Sequence, residues 1–294
     1  MKRSWVNIVI SLVLILALVP LVACIKTSDE GRKTPQRIIS LAPSNTEILF
    51  ALGLADNIVG VTDYCNFPPE AKKKERIGGF STVDLEKVIS LSPDLVLAAD
   101  IHAQTVVPEL ERRGITVRTL APKTLAEVLA GIALVAVFTD KAEEASQLVT
   151  EMEWRIKAVA EKVELLPEDE KPSVFYLTWH DPLWTLGTGT ITHELIQKAG
   201  GINIFADLDG HKTTNLETII ARNPRVIIAC TGHGSAKDSP VRWAETEDRL
   251  REIDARKNSR VYQVDADLVT RPSPRIVDGL ELLAKFIHPE IFGE

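Results

Sequence analysis

Four histidines follow or lie between the predicted strands of this chain, in segments that could face a ligand. They are His102, His180, His211 and His233, and Asp267 is in a similar position. Three imidazoles and one carboxylate would suit a zinc or manganese ion. The chain contains neither an HxH nor an HExxH pair. A site for a bare metal ion is therefore an alternative and not the favoured interpretation.

Motifs of common enzyme classes are missing from the sequence. There is no GxSxG elbow and no P-loop, and Gly187-Thr188-Gly189 lacks the further glycine of a dinucleotide fingerprint. Trp179, His180 and Asp181 are adjacent, so on a strand their side chains would point in different directions and could not form a relay. We therefore expect a binding protein and not an enzyme.

The segment Pro43-Ser44-Asn45 directly precedes a predicted helix. The unpaired N–H groups at a helix N-terminus can bind polar groups, which makes these three residues candidates for contact with a ligand. Ser44 or Asn45 could equally act as an N-cap of the helix. The sequence leaves both interpretations open.

Two segments of the chain are closely similar to each other. Residues 84–98 (DLEKVISLSPDLVLA) and 215–229 (NLETIIARNPRVIIA) align without a gap at an offset of 131 residues. Each predicts a short helix, a turn and a buried strand. The pair therefore indicates two similar lobes, and the cleft between two lobes is a common place for a ligand. The repeat places Glu86 and Glu217 at equivalent positions.

Strand and helix patterns alternate over residues 37–121 and again after Pro172. This alternation predicts βαβ units with mostly parallel sheets. Between them, apolar residues recur at steps of three and four over 140–163, which predicts one long helix. Asp140 and Glu143 would form a capping box at its start. The expected fold is α/β, with two Rossmann-like lobes joined by this helix.

The charge balance argues against nucleic acid as a partner. The formal net charge of the whole chain is −7, whereas binding to phosphates needs a basic face. A negative protein suits a positively charged docking surface instead.

The N-terminus has the pattern of a secretory signal. Lys2 and Arg3 precede an almost wholly apolar run over residues 6–18, and Leu21-Val22-Ala23-Cys24 follows. The last four residues resemble a bacterial lipobox, in which the cysteine becomes the lipid-carrying first residue of the mature protein. The polar residues 25–34 would form a flexible tether. We expect a lipid anchor at Cys24 and an extracytoplasmic location; an uncleaved membrane anchor is the alternative.

The order of several short motifs resembles the solute-binding proteins of ABC importers with a rigid helical backbone. The likeness covers residues 37–287 and is greatest to the vitamin B12-binding members, with iron–siderophore and haem proteins as relatives. The resemblance implies two α/β lobes, one linking helix and a ligand held between the lobes. The motifs are 39–47 (ISLAPSNTE), 60–64 (GVTDY), 68–69 (PP), 84–86 (DLE), 92–96 (SPDLV), 200–205 (GGINIF), 216–217 (LE) and 273–276 (SPRI).

The resemblance implies a docking role for the two repeated glutamates. Glu86 and Glu217 would contact arginine clusters on the two subunits of an ABC permease homodimer, which works with ATPase subunits. Charge complementarity of this kind sets the orientation of a complex. The alternative is a pair of solvated glutamates. The protein itself would be a monomer without a cofactor of its own.

The resemblance also implies a set of ligand-binding residues. Tyr64, Phe80 and Trp184 match aromatic positions of the cleft, and aromatic faces suit a broad planar ligand. Asp267 and Arg271 match positions that contact the ligand in the vitamin B12-binding members.

Two cleft positions depart from the vitamin B12-binding pattern. Ala99 and His211 each stand where that pattern has tryptophan. Both are expected to line the cleft, and His211 could be an axial ligand to the cobalt or iron of a bound macrocycle. These departures leave a corrinoid, a ferric siderophore and haem open as ligands.

Together these features predict a lipid-anchored solute-binding protein that delivers a cobalamin-like corrinoid to an ABC permease. A ferric siderophore or haem is the alternative cargo, and a zinc or manganese carrier or a two-lobed α/β enzyme is less favoured. The predicted segments are a signal peptide (1–23), the lipidated cysteine with its tether (24–36), a first lobe (37–138), a linking helix (139–166) and a second lobe (167–294).

Overall fold

The computed structural model describes residues 34–231 and 239–293. Of these, residues 35–231 and 239–293 belong to one compact unit. The predicted signal peptide, Cys24 and almost all of the tether lie outside the described residues, and so does His233. No helix in the two described ranges is both long enough and apolar enough to cross a membrane.

The first sheet has four parallel strands in the order β2-β1-β3-β4. The strands are β1 (Ile38–Ser40), β2 (Ile58–Val61), β3 (Leu95–Ala99) and β4 (Val117–Leu120). The helices that connect them are α1 (Pro43–Ala51), α2 (Leu85–Ser90) and α3 (Val106–Arg112). β1 is buried along its whole length, as expected where helices cover both faces of a parallel sheet.

Two helices follow the first sheet, α4 (Leu125–Thr139) and α5 (Ala142–Val163), and they pack against each other. Only α5 was predicted. It begins after Lys141, which makes no side-chain cap, so the capping box expected from Asp140 and Glu143 is wrong. Asp140 instead ends α4 in the left-handed conformation, with φ of 57°, which aspartate adopts more readily than most residues. The chain therefore turns sharply between two helices at this point.

The second sheet also has four parallel strands, in the order β11-β10-β5-β8. The strands are β5 (Ser173–Leu177), β8 (Ile202–Asn203), β10 (Val226–Thr231) and β11 (Val261–Asp265). The helices of this half are α6 (Ile191–Lys198), α7 (Leu216–Arg222), α8 (Pro240–Thr246), α9 (Asp254–Lys257), α10 (Ala266–Thr270), α11 (Ile276–Ile287) and α12 (Pro289–Phe292). Two parallel sheets with many helices confirm the predicted α/β fold class.

A small antiparallel sheet accompanies the second half of the chain. Its strands are β6 (Trp179–His180), β7 (Leu183–Leu186) and β9 (His211–Thr213), in the order β6-β7-β9. In its register, Trp184 pairs with Thr213 and Leu186 with His211. The sequence did not predict this sheet, because strands of two to four residues are too short to show an alternating pattern.

One apolar cluster runs from the first parallel sheet through α4 and α5 to the second. Ile38 of β1 and Val174 of β5 both belong to it. α5 also packs on α11, where Arg155 donates hydrogen bonds of 2.9 and 2.6 Å to the carboxylate of Glu281. Because relative motion of the two halves would expose this shared core to water, the fold favours one fixed arrangement.

The two repeated segments fold in the same way. Asp84 caps α2 and Asn215 caps α7, and each side-chain oxygen accepts a hydrogen bond from the backbone N–H three residues later, at 2.9 and 2.8 Å. After the helices, Ser92 and Asn223 turn the chain with φ of 46° and 40°. β3 and β10 follow as inner strands of their sheets. The repeat therefore extends to the caps, the turn and the strand position, whereas the exact lobe boundaries remain a prediction.

Candidate functional site

A cavity of about 1160 Å³ lies where β1, β2, β3, β4 and β11 end. Pockets for drug-sized ligands measure roughly 300–1,000 Å³, so this one suits a large ligand. The carboxyl ends of parallel strands are a common place for a ligand site. Seven of the ten predicted ligand residues line the cavity: Pro43, Ser44, Tyr64, Phe80, Ala99, Asp267 and Arg271.

One wall of the cavity is apolar and partly aromatic. Tyr64 is 61% exposed and Ile101 is 51% exposed. Both line the cavity, together with the partly buried ring of Phe80. Large apolar side chains left open to water in a concave site favour a ligand with a broad apolar face.

His102 holds this wall in place from behind. The backbone N–H of Ala99 donates to Nδ1 of His102 at 3.0 Å, and Nε2 of the same ring lies 2.7 Å from the carbonyl oxygen of Phe80. Because Nδ1 accepts a hydrogen bond, the ring N–H is at Nε2, which donates to that carbonyl. The imidazole also meets the ring of Phe80 edge to face, with centroids 5.3 Å apart. His102 is fully buried, and its contacts fix the positions of Phe80 and Ala99 in the cleft wall.

Replacing His102 by alanine should lower the free energy of unfolding by about 2–3 kcal/mol, because the buried N–H of Ala99 and the carbonyl of Phe80 would each lose a partner. Urea titration followed by circular dichroism measures the change. The matched control is His211→Ala, which alters an exposed imidazole and should stay within about 0.5 kcal/mol of the parent protein. Equal losses in the two variants would contradict the positioning role of His102.

A buried carboxylate lies close to the cavity. Glu47, on α1, is 4% exposed. Its carboxylate accepts hydrogen bonds of 2.9 and 2.6 Å from the guanidinium of Arg275 and one of 2.7 Å from the hydroxyl of Ser273. A third interaction, at 3.3 Å, comes from Arg271. These contacts join α1 of the first half to the segment before α11 in the second half.

Arg271 reaches the cavity from the same cluster. Its guanidinium donates to the side-chain oxygen of Asn66 at 2.6 Å and pairs with Asp267 at 2.8 Å. Asn66 in turn donates to the other oxygen of Asp267 at 3.0 Å. The carboxylate of Asp267 is therefore held on both sides, and its remaining lone pairs are available to a ligand.

Arg275 is a structural cation of this cluster. Burial lowers the pKa of its guanidinium, but the hydrogen bonds and the charge of Glu47 outweigh that effect and raise the pKa overall. The guanidinium also stacks on the ring of Phe67, 3.8 Å from the ring centroid. Arg275 thus remains charged and fixed at physiological pH.

Comparison with known proteins shows the family of this chain. Residues 38–268, well over half of the sequence, match the family described as periplasmic binding protein. The chain belongs to this family.

Its relatives agree in size and in fold. A protein of Bacillus subtilis, named as an uncharacterized ABC transporter substrate-binding lipoprotein YvrC, is 38% identical over 90% of this chain and 83% of its own length. The crystal structure of the periplasmic vitamin B12 binding protein BtuF of Vibrio cholerae is 28% identical, with a TM-score of 0.75, and covers 87% of this chain and 97% of its own. A possible iron-binding periplasmic protein of Staphylococcus epidermidis is 31% identical, with a TM-score of 0.75, over 87% of this chain and 100% of its own.

These relatives establish the general role of this periplasmic binding protein. It is an ABC-transporter substrate-binding protein, and its relatives include proteins named as binding vitamin B12 and haem. Such proteins bind a ligand and work with the permease and ATPase components of a transporter.

Three predicted ligand residues of this periplasmic binding protein do not line the cavity. Asn45 is buried, and its amide donates to the carbonyl of Ala98 at 3.0 Å, so it ties α1 to the end of β3. The N-cap of α1 is Ala42, which also overturns the capping role considered for Ser44 and Asn45. Trp184 and His211 lie on the small antiparallel sheet.

His211 and Trp184 both have exposed surface on that sheet. The surrounding protein nevertheless desolvates the imidazole of His211 enough to lower its pKa. The ring is therefore neutral near pH 7 and could still act as a ligand if a bound molecule extended to the sheet. Its contact with a macrocycle remains a prediction.

The two predicted docking glutamates occupy equivalent sites. Glu86 is the second residue of α2, Glu217 is the second residue of α7, and both are exposed. A second cavity, of about 530 Å³, is bordered by Glu217 together with Trp243 and Arg249. Both glutamates lie in the first turn of a helix, where the helix dipole favours a negative charge.

The metal-ion alternative gains no support from the described residues, where no group of three or more His, Cys, Asp or Glu side chains could hold a metal ion. Both ring nitrogens of His102 form hydrogen bonds with backbone atoms of the cleft wall, so neither is available to a metal ion. His180 borders the second cavity and not the large one. His233 lies outside the described residues.

Several residues at or beside the cavity were not predicted from the sequence as site residues. Glu47 appeared in the sequence analysis only as part of a motif, and Asn66 did not appear in it. Both accept a hydrogen bond from the guanidinium of Arg271. Arg271 lies 224 positions from Glu47 and 205 positions from Asn66 in the sequence. A local sequence pattern cannot predict contacts between residues so far apart. The carboxylates Asp63, Asp100 and Asp265 also line the cavity without having been predicted.

Proposed function

We propose that this periplasmic binding protein captures a cobalamin-like corrinoid and delivers it to the permease of an ABC importer. The observation that carries the proposal is the charge of the cavity wall. In its described part, the carboxylates of Asp63, Asp100, Asp265 and Asp267 outnumber the cations of Lys123 and Arg271.

Such a wall suits the edge of a corrinoid better than the alternatives. The corrin ring carries carboxamide side chains, whose N–H groups donate hydrogen bonds to carboxylates. Haem carries two propionates, and many ferric siderophores are anionic, so an acidic wall repels them. The apolar surfaces of Tyr64 and Ile101 would cover the face of the ring.

Haem binding is the second candidate function, favoured by one observation. The phenol of Tyr64 is exposed within the cavity, and tyrosine is one of the side chains that ligate haem iron. A phenolate–iron bond could offset part of the repulsion between the propionates and the acidic wall.

Titration of the chain lacking its first 25 residues should show sub-micromolar binding of cobalamin or cobinamide. Calorimetry gives the affinity, and the visible spectrum of the corrinoid reports ligand contact independently. Absence of both heat and spectral change with either compound would refute the corrinoid proposal. The same titration with haem and with ferric siderophores would then decide between the remaining cargoes.

We further propose that Glu86 and Glu217 dock the protein on the two subunits of a permease dimer, and that a lipid on Cys24 keeps it at the membrane. Support for docking is the equivalent, exposed position of both carboxylates on α2 and α7. Support for the anchor is the lipobox pattern of residues 21–24 and the lipoprotein relative. The first lobe, the linking helix and the second lobe would span 37–138, 139–166 and 167–294.

A further inference from the structure

Arg271 lines the large cavity, yet both terminal nitrogens of its guanidinium are engaged by the protein. Nη1 contacts Glu47 at 3.3 Å and Asn66 at 2.6 Å. Nη2 contacts Asp267 at 2.8 Å and the backbone carbonyl of Tyr64 at 3.4 Å. Only 15% of the side chain is exposed. A ligand carboxylate would have to compete with the carboxylates of Glu47 and Asp267 to bind both terminal nitrogens of this cation.

Glu47 is the member of the cluster that a ligand does not touch. It does not line the cavity, and its side chain is 2% exposed. Its carboxylate accepts two hydrogen bonds from Arg275 and a third from Ser273. The carboxylate is thus locked beside Arg271, whatever occupies the cleft.

The charges of this cluster balance. Glu47 and Asp267 supply two negative charges, and Arg271 and Arg275 supply two positive charges. In a site of reduced dielectric constant, removal of one carboxylate would leave a net positive charge that water screens poorly. Of the two cations in this cluster, Arg271 lines the cavity and Arg275 does not.

We infer that Glu47 is a specificity-determining residue, which withholds Arg271 from the ligand and thereby excludes anionic cargo from the cleft. This inference rests on the large cavity being the ligand site, as in the proposed function. It adds a role for a side chain that never meets the ligand. It also explains how a cleft that contains an arginine can still select an uncharged molecule.

The test is Glu47→Gln, which removes the charge and keeps the shape of the side chain. The probes are haem, which carries two carboxylates, and haem dimethyl ester, which has the same ring without them. We expect Glu47→Gln to bind haem about tenfold more tightly than the parent protein, while affinity for the ester changes less than twofold. Absorbance titration of both probes measures the ratio.

Two further variants test whether the gain in haem affinity comes from the released charge of Arg271. Adding Arg271→Met to Glu47→Gln should cancel the gain for haem, because the released cation is then missing. Ser273→Ala removes one hydrogen bond of Glu47 but no charge, and should leave the haem-to-ester ratio within twofold of the parent value. A gain that survives Arg271→Met, or one that Ser273→Ala reproduces, would overturn the inference.

Circular dichroism and thermal melting must show that Glu47→Gln is folded. If it is not, Asp267→Asn is compared with Asp100→Asn, because each removes one carboxylate from the cavity wall but, among the described residues, only Asp267 of the two forms an ion pair with Arg271. Asp267→Asn should raise the ratio of haem to ester affinity at least threefold more than Asp100→Asn does, and equal effects would contradict the inference. An unchanged ratio in every folded variant refutes the inference. Failure of the parent protein to bind cobinamide would refute the corrinoid proposal alone, because the haem-to-ester ratio does not depend on it.

Discussion

Replacing Glu86 and Glu217 together by alanine should abolish uptake of the cargo into cells while leaving the affinity of the protein for its ligand unchanged. Both carboxylates are exposed in the first turn of their helices. Neither lines the large cavity. If each contributes about 2 kcal/mol to docking, the double variant forms its complex with the permease about a thousandfold less well. Each single variant should retain part of the activity.

Uptake of labelled cobalamin and calorimetry on the purified variant separate the two effects. The matched control is Glu151→Ala with Glu153→Ala, which removes the same charge from exposed positions of α5 and should transport normally. Loss of ligand binding in the Glu86 and Glu217 variant would show that these residues act on the cleft. Normal transport would show that they are two solvated glutamates.

The repeat was the most informative part of the sequence for the fold. It correctly predicted helix α2, helix α7 and their following strands, because each copy contains a cap, a helix, a turn residue and an apolar strand in close succession. Local features of this kind act within a few residues, so the sequence alone reports them. The left-handed turn residues Ser92 and Asn223 occupy equivalent positions, and the two helices end within one residue of the same point of the repeat.

Helix α4 was missed for the opposite reason. Its sequence, LAEVLAGIALVAVFT, is apolar on nearly every side, so apolar residues do not recur with a helical period. Leu134 and Val137 are exposed although the helix is packed. Only the tertiary structure, in which α4 lies against α5, identifies it as a helix.

The sequence predicted part of the cleft, and what it missed involves contacts between residues that are far apart in the chain. Seven of the predicted residues do surround the cavity, and most of them lie at the end of a strand or in the segment that follows it, where the sheet fixes their position. Asn45, two residues after Pro43, points elsewhere because its amide caps the end of β3. The cluster around Glu47 joins residues more than 200 positions apart, and one sequence contains no signal for such pairs.

This cluster has a second consequence, which concerns stability. Replacing Arg275 by methionine should lower the free energy of unfolding by about 3 kcal/mol, because it leaves a buried carboxylate without its main partner. Glu47 would keep only Ser273 at 2.7 Å and Arg271 at 3.3 Å. The contact of the guanidinium with the ring of Phe67 would also be lost. For a chain of this size the melting temperature should fall by roughly 6–12 °C.

The matched control is Arg112→Met, which breaks an ion pair with Glu109 on the exposed face of α3. The side chain of Arg112 is 72% exposed, and Glu109 keeps a second cationic partner in Arg113, so the loss should be at most about 1 kcal/mol. Glu47→Gln combined with Arg275→Met removes both members of the buried pair. If the pair itself carries the stability, the double variant should be less destabilised than the sum of the single variants, with a coupling of about 1–3 kcal/mol. Additive losses would mean that Arg275 acts through its packing on Phe67 and not through Glu47.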